Sequence, residues 1–203
     1  MSTPAQVRFE RILVALDESD EHRRVLQSAA EIAARLEAEL SGLFVEDVDL
    51  LRLAELPCAR EVRYGGRETA PDTAFIRRSM KVQAAAARRS LASAAERHRL
   101  RWSFRVARGN VARELVAAAA RADLMVVGRA RLAHHRRIHV GPTARRVAAE
   151  APAAVLIPGR GDRDGPVVVV HEGSPAILAP AASARAGGRA GHRRRRSGRV
   201  ARR

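Results

Sequence analysis

Several features that constrain a fold are scarce in this chain of 203 residues. It has one cysteine, Cys58, so no disulfide can form within a single chain, which suits a reducing compartment. Aromatic residues make up only 3% of the sequence, so a core must be built from Val, Ile, Leu and Ala. No apolar run approaches the ~20 residues of a membrane span, and the first residues lack the apolar stretch of a signal peptide. These absences predict a soluble cytoplasmic protein with no membrane partner.

Lysine is also nearly absent, because Lys81 is the one lysine among 38 basic residues and all the others are arginine. The net charge of +16 has two equal parts. Residues 1–170 carry 29 basic and 21 acidic residues, and residues 171–203 carry nine arginines and one acid, so each part contributes +8. A uniform arginine bias is typical of a GC-rich coding sequence, which makes any single arginine weak evidence of function.

The end of the chain has two open interpretations. Residues 167–174 (VVVVHEGS) repeat the pattern of residues 12–19 (ILVALDES), in which an apolar run leads to an acid and then a serine. We therefore predict a linker and the first strand of a truncated second domain at 161–175, and a disordered Arg/Ala/Gly-rich tail at 176–203. One interpretation of this tail is a basic arm that binds nucleic acid or an anionic membrane surface through counterion release. A shifted reading frame in GC-rich DNA would produce the same composition.

The rest of the chain alternates short apolar runs with amphipathic segments. Buried strands are predicted at 11–16, 40–45, 102–107, 124–127 and 154–157. Helices are predicted at about 20–38, 74–99, 110–120 and 142–150, with a helical turn at 49–56 and a loop at 57–72. Strands that alternate with helices imply parallel βαβ crossovers. Residues 1–160 are therefore predicted to form one α/β domain, a five-stranded parallel doubly wound sheet of Rossmann-like type with helices on both faces.

Two strand ends carry the candidate site. Asp17 follows the first predicted strand, and Gly128 ends the fourth, whose loop leads to Gly141 at the start of a helix. Ligands of open α/β sheets bind at the carboxyl ends of strands, and a helix N-terminus suits phosphate. The pattern predicts a nucleotide site with Asp17 on the base or ribose and the glycine loop on the phosphates. A turn acid at Asp17 and a plain helix start at Gly141 and Pro142 are open alternatives.

Taken in order, these segments resemble the universal stress protein family over about residues 9–158. The matching pieces are 12–17 (ILVALD), 43–45 (LFV), 108–110 (RGN), 122–128 (ADLMVVG), 141–147 (GPTARRV) and 151–158 (APAAVLIP). The resemblance implies a five-stranded parallel sheet, a homodimer formed through the last strand, and a role in stress tolerance and signalling. For ATP-binding members it also implies a phosphate loop of Gly, two residues, Gly, nine residues, Gly and then Ser or Thr.

This chain keeps the spacing of that loop but departs from it at two positions. Arg131 stands where the middle glycine is implied, and Pro142 stands where the hydroxyl residue is implied. A long side chain obstructs the approach of backbone to phosphate, and proline removes both a hydroxyl and an N–H. Two lost hydrogen bonds to a charged group cost about 3–6 kcal/mol. Arg131 offers a guanidinium fork in return, and Thr143 offers its hydroxyl one position late.

The candidate cofactor is ATP, and the residues that the resemblance places around it are Asp17, Val45, Gly128, Arg131, Gly141 and Thr143. No catalytic residue is predicted, and no metal site either, because the spacing of the histidines at 134, 135 and 139 fits no zinc pattern. The main functional prediction is a non-catalytic stress-response or signalling module with a degenerate nucleotide site. The alternatives are an ATP or AMP sensor in which Arg131 replaces a phosphate-loop glycine, and a nucleic-acid-binding protein that acts through its tail.

Overall fold

The computed structural model describes residues 9–17, 22–62, 66, 68–129 and 140–158. All of them belong to one compact unit, Phe9–Pro158. The predicted linker and strand at 161–175 and the tail at 176–203 lie outside the described residues, as does Arg131. None of the described helices is long and apolar enough to cross a membrane.

The described residues form seven strands and five helices. The strands are β1 (Arg11–Leu16), β2 (Glu39–Asp47), β3 (Glu61–Val62), β4 (Glu68–Thr69), β5 (Trp102–Gly109), β6 (Leu124–Val126) and β7 (Ala154–Leu156). The helices are α1 (His22–Leu36), α2 (Val48–Ala54), α3 (Thr73–Arg97), α4 (Val111–Ala119) and α5 (Pro142–Glu150).

Five of these strands form one parallel sheet in the order β5-β2-β1-β6-β7. The chain first winds outward from β1 through β2 to β5, then crosses to the other side of β1 and winds outward through β6 to β7. The predicted five-stranded, doubly wound parallel sheet is therefore confirmed. Its winding reverses between β1 and β6, which is where open α/β sheets place their ligands.

Both faces of the sheet are covered, which explains why the central strands are continuous apolar runs. In β1, Ile12 and Val14 face the core beneath α1 and α3, whereas Leu13 faces the core beneath α4 and α5. Successive residues of β1 from Ile12 onward thus face opposite sides of the sheet, and all of them are apolar because both sides are covered. Leu91 of α3 and Val147 of α5 are fully buried on the two opposite faces.

The structure corrects two boundaries and one segment of the prediction. The predicted loop at 57–72 contains a small antiparallel hairpin, in which Glu61 pairs with Thr69. The strand predicted at 40–45 runs to Asp47, and the strand predicted at 102–107 runs to Gly109. Both strands are longer than predicted because they pair with each other as far as Asp47 and Gly109. Their last residues are polar or small, so the apolar pattern ends before the pairing does.

Candidate functional site

A cleft of about 300 Å³ lies at the carboxyl ends of β1, β2 and β6. Residues that follow or end these strands line it together with side chains from the helices above. Five of the six residues predicted for the cofactor line this one cleft: Asp17, Val45, Gly128, Gly141 and Thr143. Arg131, the sixth, lies outside the described residues. The structure therefore brings together positions that are more than 120 residues apart in the sequence.

One end of the cleft lies on the β2 side of β1. Asp17 is exposed at the end of β1, and Val45 of β2 is half-buried beside it. Leu50 of α2 and Met80 of α3 add apolar walls, and the carboxamide of Gln83 lies in the same lining. Apolar walls with a few polar groups are typical of sites that hold a flat organic ring.

The other end lies on the β6 side, where Gly128 ends the strand and Gly141 caps α5. Gly141 offers no side-chain hydrogen bond to the helix, and Pro142 occupies its first position. Proline has no N–H, and Arg145 already donates its N–H to the Gly141 carbonyl at 3.0 Å. Among the described residues of this helix start, the N–H groups of Gly141, Thr143 and Ala144 have no intrahelical acceptors and are available to an anion.

Glycine at 128 is not required by the fold. Among the described residues, a Cβ added there would come no closer than 3.4 Å to another residue, and that atom is the Val25 Cγ2 methyl. Its φ also lies outside the left-handed region that favours glycine. Neither contacts with the described residues nor backbone conformation requires glycine at this position.

Arg129 joins the rim of the cleft to the outermost strand. Its Nη2 donates to the carbonyl of Pro158, just beyond β7, at 2.6 Å. The guanidinium is thus engaged with the main chain. This contact was not predicted, because no sequence pattern indicates which carbonyl a partly buried arginine reaches.

Hydrogen bonds between side chains hold the rim above β2. Asp47 caps α2 by accepting from the N–H of Asp49 at 2.9 Å and of Leu50 at 3.4 Å. Asn110 donates to Asp49 Oδ2 at 2.6 Å and accepts from the N–H of Arg113 at 3.2 Å. The Asn110 side chain therefore both caps α4 and joins α4 to α2.

Sequence reasoning missed two polar residues near the site. His22, the first residue of α1, is 9% exposed, and neither ring nitrogen has a hydrogen-bond partner. Burial lowers the pKa of His22, the nearby Asp17 carboxylate raises it, and Arg23 lowers it. Gln83 was detectable, because it lies three residues after Met80 and four before Ala87, on the stripe that α3 buries. A polar residue at such a position needs a partner or a ligand.

No group of three His, Cys, Asp or Glu side chains able to hold a metal occurs in the described part of the chain. The histidines at 134, 135 and 139 lie outside it. Among the described residues, the cleft lining combines apolar walls with five polar or charged side chains, those of Asp17, Asp47, Gln83, Arg129 and Thr143.

Comparisons with known proteins agree with this architecture. The model of the universal stress protein family matches residues 8–157. The UspA universal stress protein of Lactobacillus plantarum is 22% identical, with 74% of this chain and 98% of that chain covered at a TM-score of 0.54. A universal stress protein of Archaeoglobus fulgidus is 21% identical, with 73% and 98% covered at a TM-score of 0.52.

A universal stress protein solved in complex with cAMP is 20% identical, with 76% of this chain and 100% of that chain covered at a TM-score of 0.54. No curated protein matches the sequence. At these identities the solved structures establish the fold, and the family model covers about three quarters of the chain. The chain belongs to the universal stress protein family.

Proposed function

We propose that this protein is a non-catalytic stress-response or signalling module of the cytoplasm whose cleft holds a nucleotide weakly. One observation carries the proposal: Pro142 occupies the first position of α5 at the anion end of a cleft that is otherwise assembled. Asp17 and the apolar wall at Val45 serve the base, while the phosphates meet an incomplete set of donors. A homodimer through β7, the sheet edge opposite β5, is part of the same proposal.

The energetic consequence concerns the phosphates. A hydrogen bond to a charged group contributes roughly 1.5–3 kcal/mol, and Pro142 removes a hydroxyl and an N–H from the place where the family loop has Ser or Thr. The loss of both corresponds to about 10²–10⁴ in affinity at 1.4 kcal/mol per decade. A triphosphate then has little advantage over a nucleoside in this cleft.

Titration calorimetry with ATP and Mg²⁺ tests the proposal. The unchanged chain is expected to bind with a dissociation constant above about 1 mM, and Pro142→Ser is expected to tighten it at least tenfold, because serine restores both groups. Pro152→Ser is the matched control, since Pro152 is exposed beyond α5 and outside the cleft lining. Micromolar binding by the unchanged chain, or no gain from Pro142→Ser, would contradict the proposal.

A second candidate is an ATP or AMP sensor in which Arg131 binds the phosphates in place of glycine. The assembled cleft favours it, because five of the six implied positions already meet there. The variant Arg131→Gly separates the two: it weakens ATP binding if the guanidinium holds phosphate, and it strengthens binding if the long side chain only obstructs the loop.

A further inference from the structure

Most polar side chains that line the cleft already serve the fold. The Asp47 carboxylate accepts two N–H groups of α2, and the Arg129 guanidinium donates to Pro158. Gln83 and Thr143 differ from these, because both side chains are half-buried in the lining and have no hydrogen bond to any described residue, and only Gln83 carries a carboxamide. Its amide atoms are not among the fully buried polar atoms that lack a partner, so the carboxamide is open to solvent and available to a ligand.

The position of Gln83 determines which part of a ligand it meets. The helix α3 packs against β2 and β5, on the side of β1 away from β6. Gln83 therefore lies with Met80, Leu50 and Phe44 at the end of the cleft opposite the phosphate-side glycines. Apolar groups line that end and would contact the faces of a flat ring. The few polar groups there would form hydrogen bonds with the edge of the ring.

We propose that Gln83 selects adenine by binding the N6 and N7 edge of the base; this rests on the proposed nucleotide site and goes beyond it. A carboxamide both donates and accepts, and it matches adenine in a bidentate way, accepting from N6 and donating to N7. The Asp17 carboxylate has several acceptor positions and takes the second N6 hydrogen. Hypoxanthine carries an oxygen at position 6 in place of the amino group. That oxygen is a hydrogen-bond acceptor and would face the carboxylate oxygens of Asp17, which are acceptors too.

The test uses nucleosides, because they carry no phosphate and so do not depend on the anion end of the cleft. Adenosine, inosine and 7-deazaadenosine are titrated into the full chain and followed by NMR chemical shifts, which report millimolar affinities. The variant Gln83→Met replaces the carboxamide with an unbranched side chain of similar length that favours helix and fills irregular gaps. Gln27→Met is the matched control, because Gln27 is exposed on α1 and outside the cleft lining.

The unchanged chain is expected to bind adenosine roughly 10-fold more tightly than 7-deazaadenosine, which lacks the N7 acceptor and leaves the Gln83 donor without a partner. In Gln83→Met, adenosine binding falls about 10-fold and the two ligands become equivalent. In Gln27→Met the preference stays. Thermal melting of each variant shows whether the fold is kept, and the ratio between two ligands is independent of the fraction folded.

The outcomes separate the two proposals. If the unchanged chain binds adenosine but Gln83→Met keeps the original ratio of adenosine to 7-deazaadenosine, Gln83 does not read the base and this inference is overturned alone. If the unchanged chain binds none of the three nucleosides, the proposed nucleotide site fails with it. Tighter binding of inosine than of adenosine would also overturn the choice of adenine.

Discussion

At the scale of single residues, His22 combines a titratable ring with a buried position. Neither nitrogen has a hydrogen-bond partner, and burial lowers the pKa of the ring in the folded protein. In the unfolded chain the same ring has an ordinary pKa near ~6.5. The unfolded state therefore binds more protons between that value and the lower folded one, so the contribution of His22 to stability is lost as the pH falls below about 6.5.

We expect His22→Phe to reduce this loss. In the unchanged protein, the free energy of unfolding decreases on acidification from neutral pH, with His22 contributing at most about 1.4 kcal/mol per pH unit. Phenylalanine has a similar ring and no titration, so the variant has a flatter profile between neutral pH and pH ~5.5. Urea unfolding at several pH values measures it, with His98→Phe at the exposed end of α3 as control. Equal slopes for all three proteins would show that His22 makes no such contribution.

At the scale of elements, the packing of α3 onto the sheet depends on a glycine in β2. A Cβ at Gly42 would lie 2.5 Å from Leu91 Cδ2 and 2.9 Å from Leu16 Cδ1. Both leucines are in the buried core, Leu91 fully so. The absent side chain at Gly42 is therefore what allows α3 to lie this close to the central strands.

The variant Gly42→Ala is expected to destabilise the protein by about 1–3 kcal/mol, because the two leucines must leave their positions in a filled core. Gly128→Ala is the matched control, since its new methyl would meet only Val25 Cγ2 at 3.4 Å. Its effect on unfolding is expected to be below about 0.5 kcal/mol. Denaturant unfolding measures the free energy of unfolding of both variants. Similar decreases in that free energy would show that Gly42 has no special packing role.

The elements that sequence could predict are those whose composition follows their burial. The strands around Ile12 and Met125 are apolar at every position after the exposed Arg11, because both sheet faces are covered. The β3–β4 hairpin had no such signal, because its pairs join Glu61 to Thr69 and Val62 to Glu68, and each strand is two residues long. The hairpin depends on pairing between two short segments, and the local pattern of apolar and polar residues does not indicate such pairing.

The residues of the candidate site also divide into those that the sequence could predict and those that it could not. Topology places strand ends and a helix start at one edge, so Asp17, Gly128 and Gly141 were predictable from their positions in the chain. The engagement of Arg129 with Pro158 and the orientation of Gln83 toward the cleft depend on packing between distant elements. No sequence pattern indicated the first, and the second was missed although Gln83 is a polar residue on the stripe that α3 buries.

At the scale of the whole molecule, charge is distributed unevenly along the chain. The last 28 residues, 176–203, contain nine arginines and no acid. We propose that this tail binds nucleic acid through phosphate contacts, in which case affinity falls steeply with salt, with a slope of about −0.7 to −0.9 per phosphate neutralised.

Deleting residues 176–203 is expected to remove most of the binding and to flatten its salt dependence, measured by fluorescence anisotropy with a labelled duplex. A variant with all nine tail arginines changed to lysine keeps the charge and is expected to bind nearly as well. Unchanged affinity after the deletion would exclude the tail as a nucleic-acid arm.

The order of strands has a consequence for synthesis of the protein. Of the five sheet strands, β1 leaves the ribosome first, and it becomes the middle strand of the finished sheet. One of its edges is completed only when residues 124–126 pair with it. Asp123, just before them, accepts the N–H groups of Glu10 and Arg11 at 2.8 and 2.9 Å. At ~5–20 residues per second, translation of the ~110 intervening residues takes roughly 6–20 s. For that interval a nascent chain exposes an apolar strand edge, which makes the emerging half-sheet a target for chaperones or for misassembly with a neighbouring polypeptide.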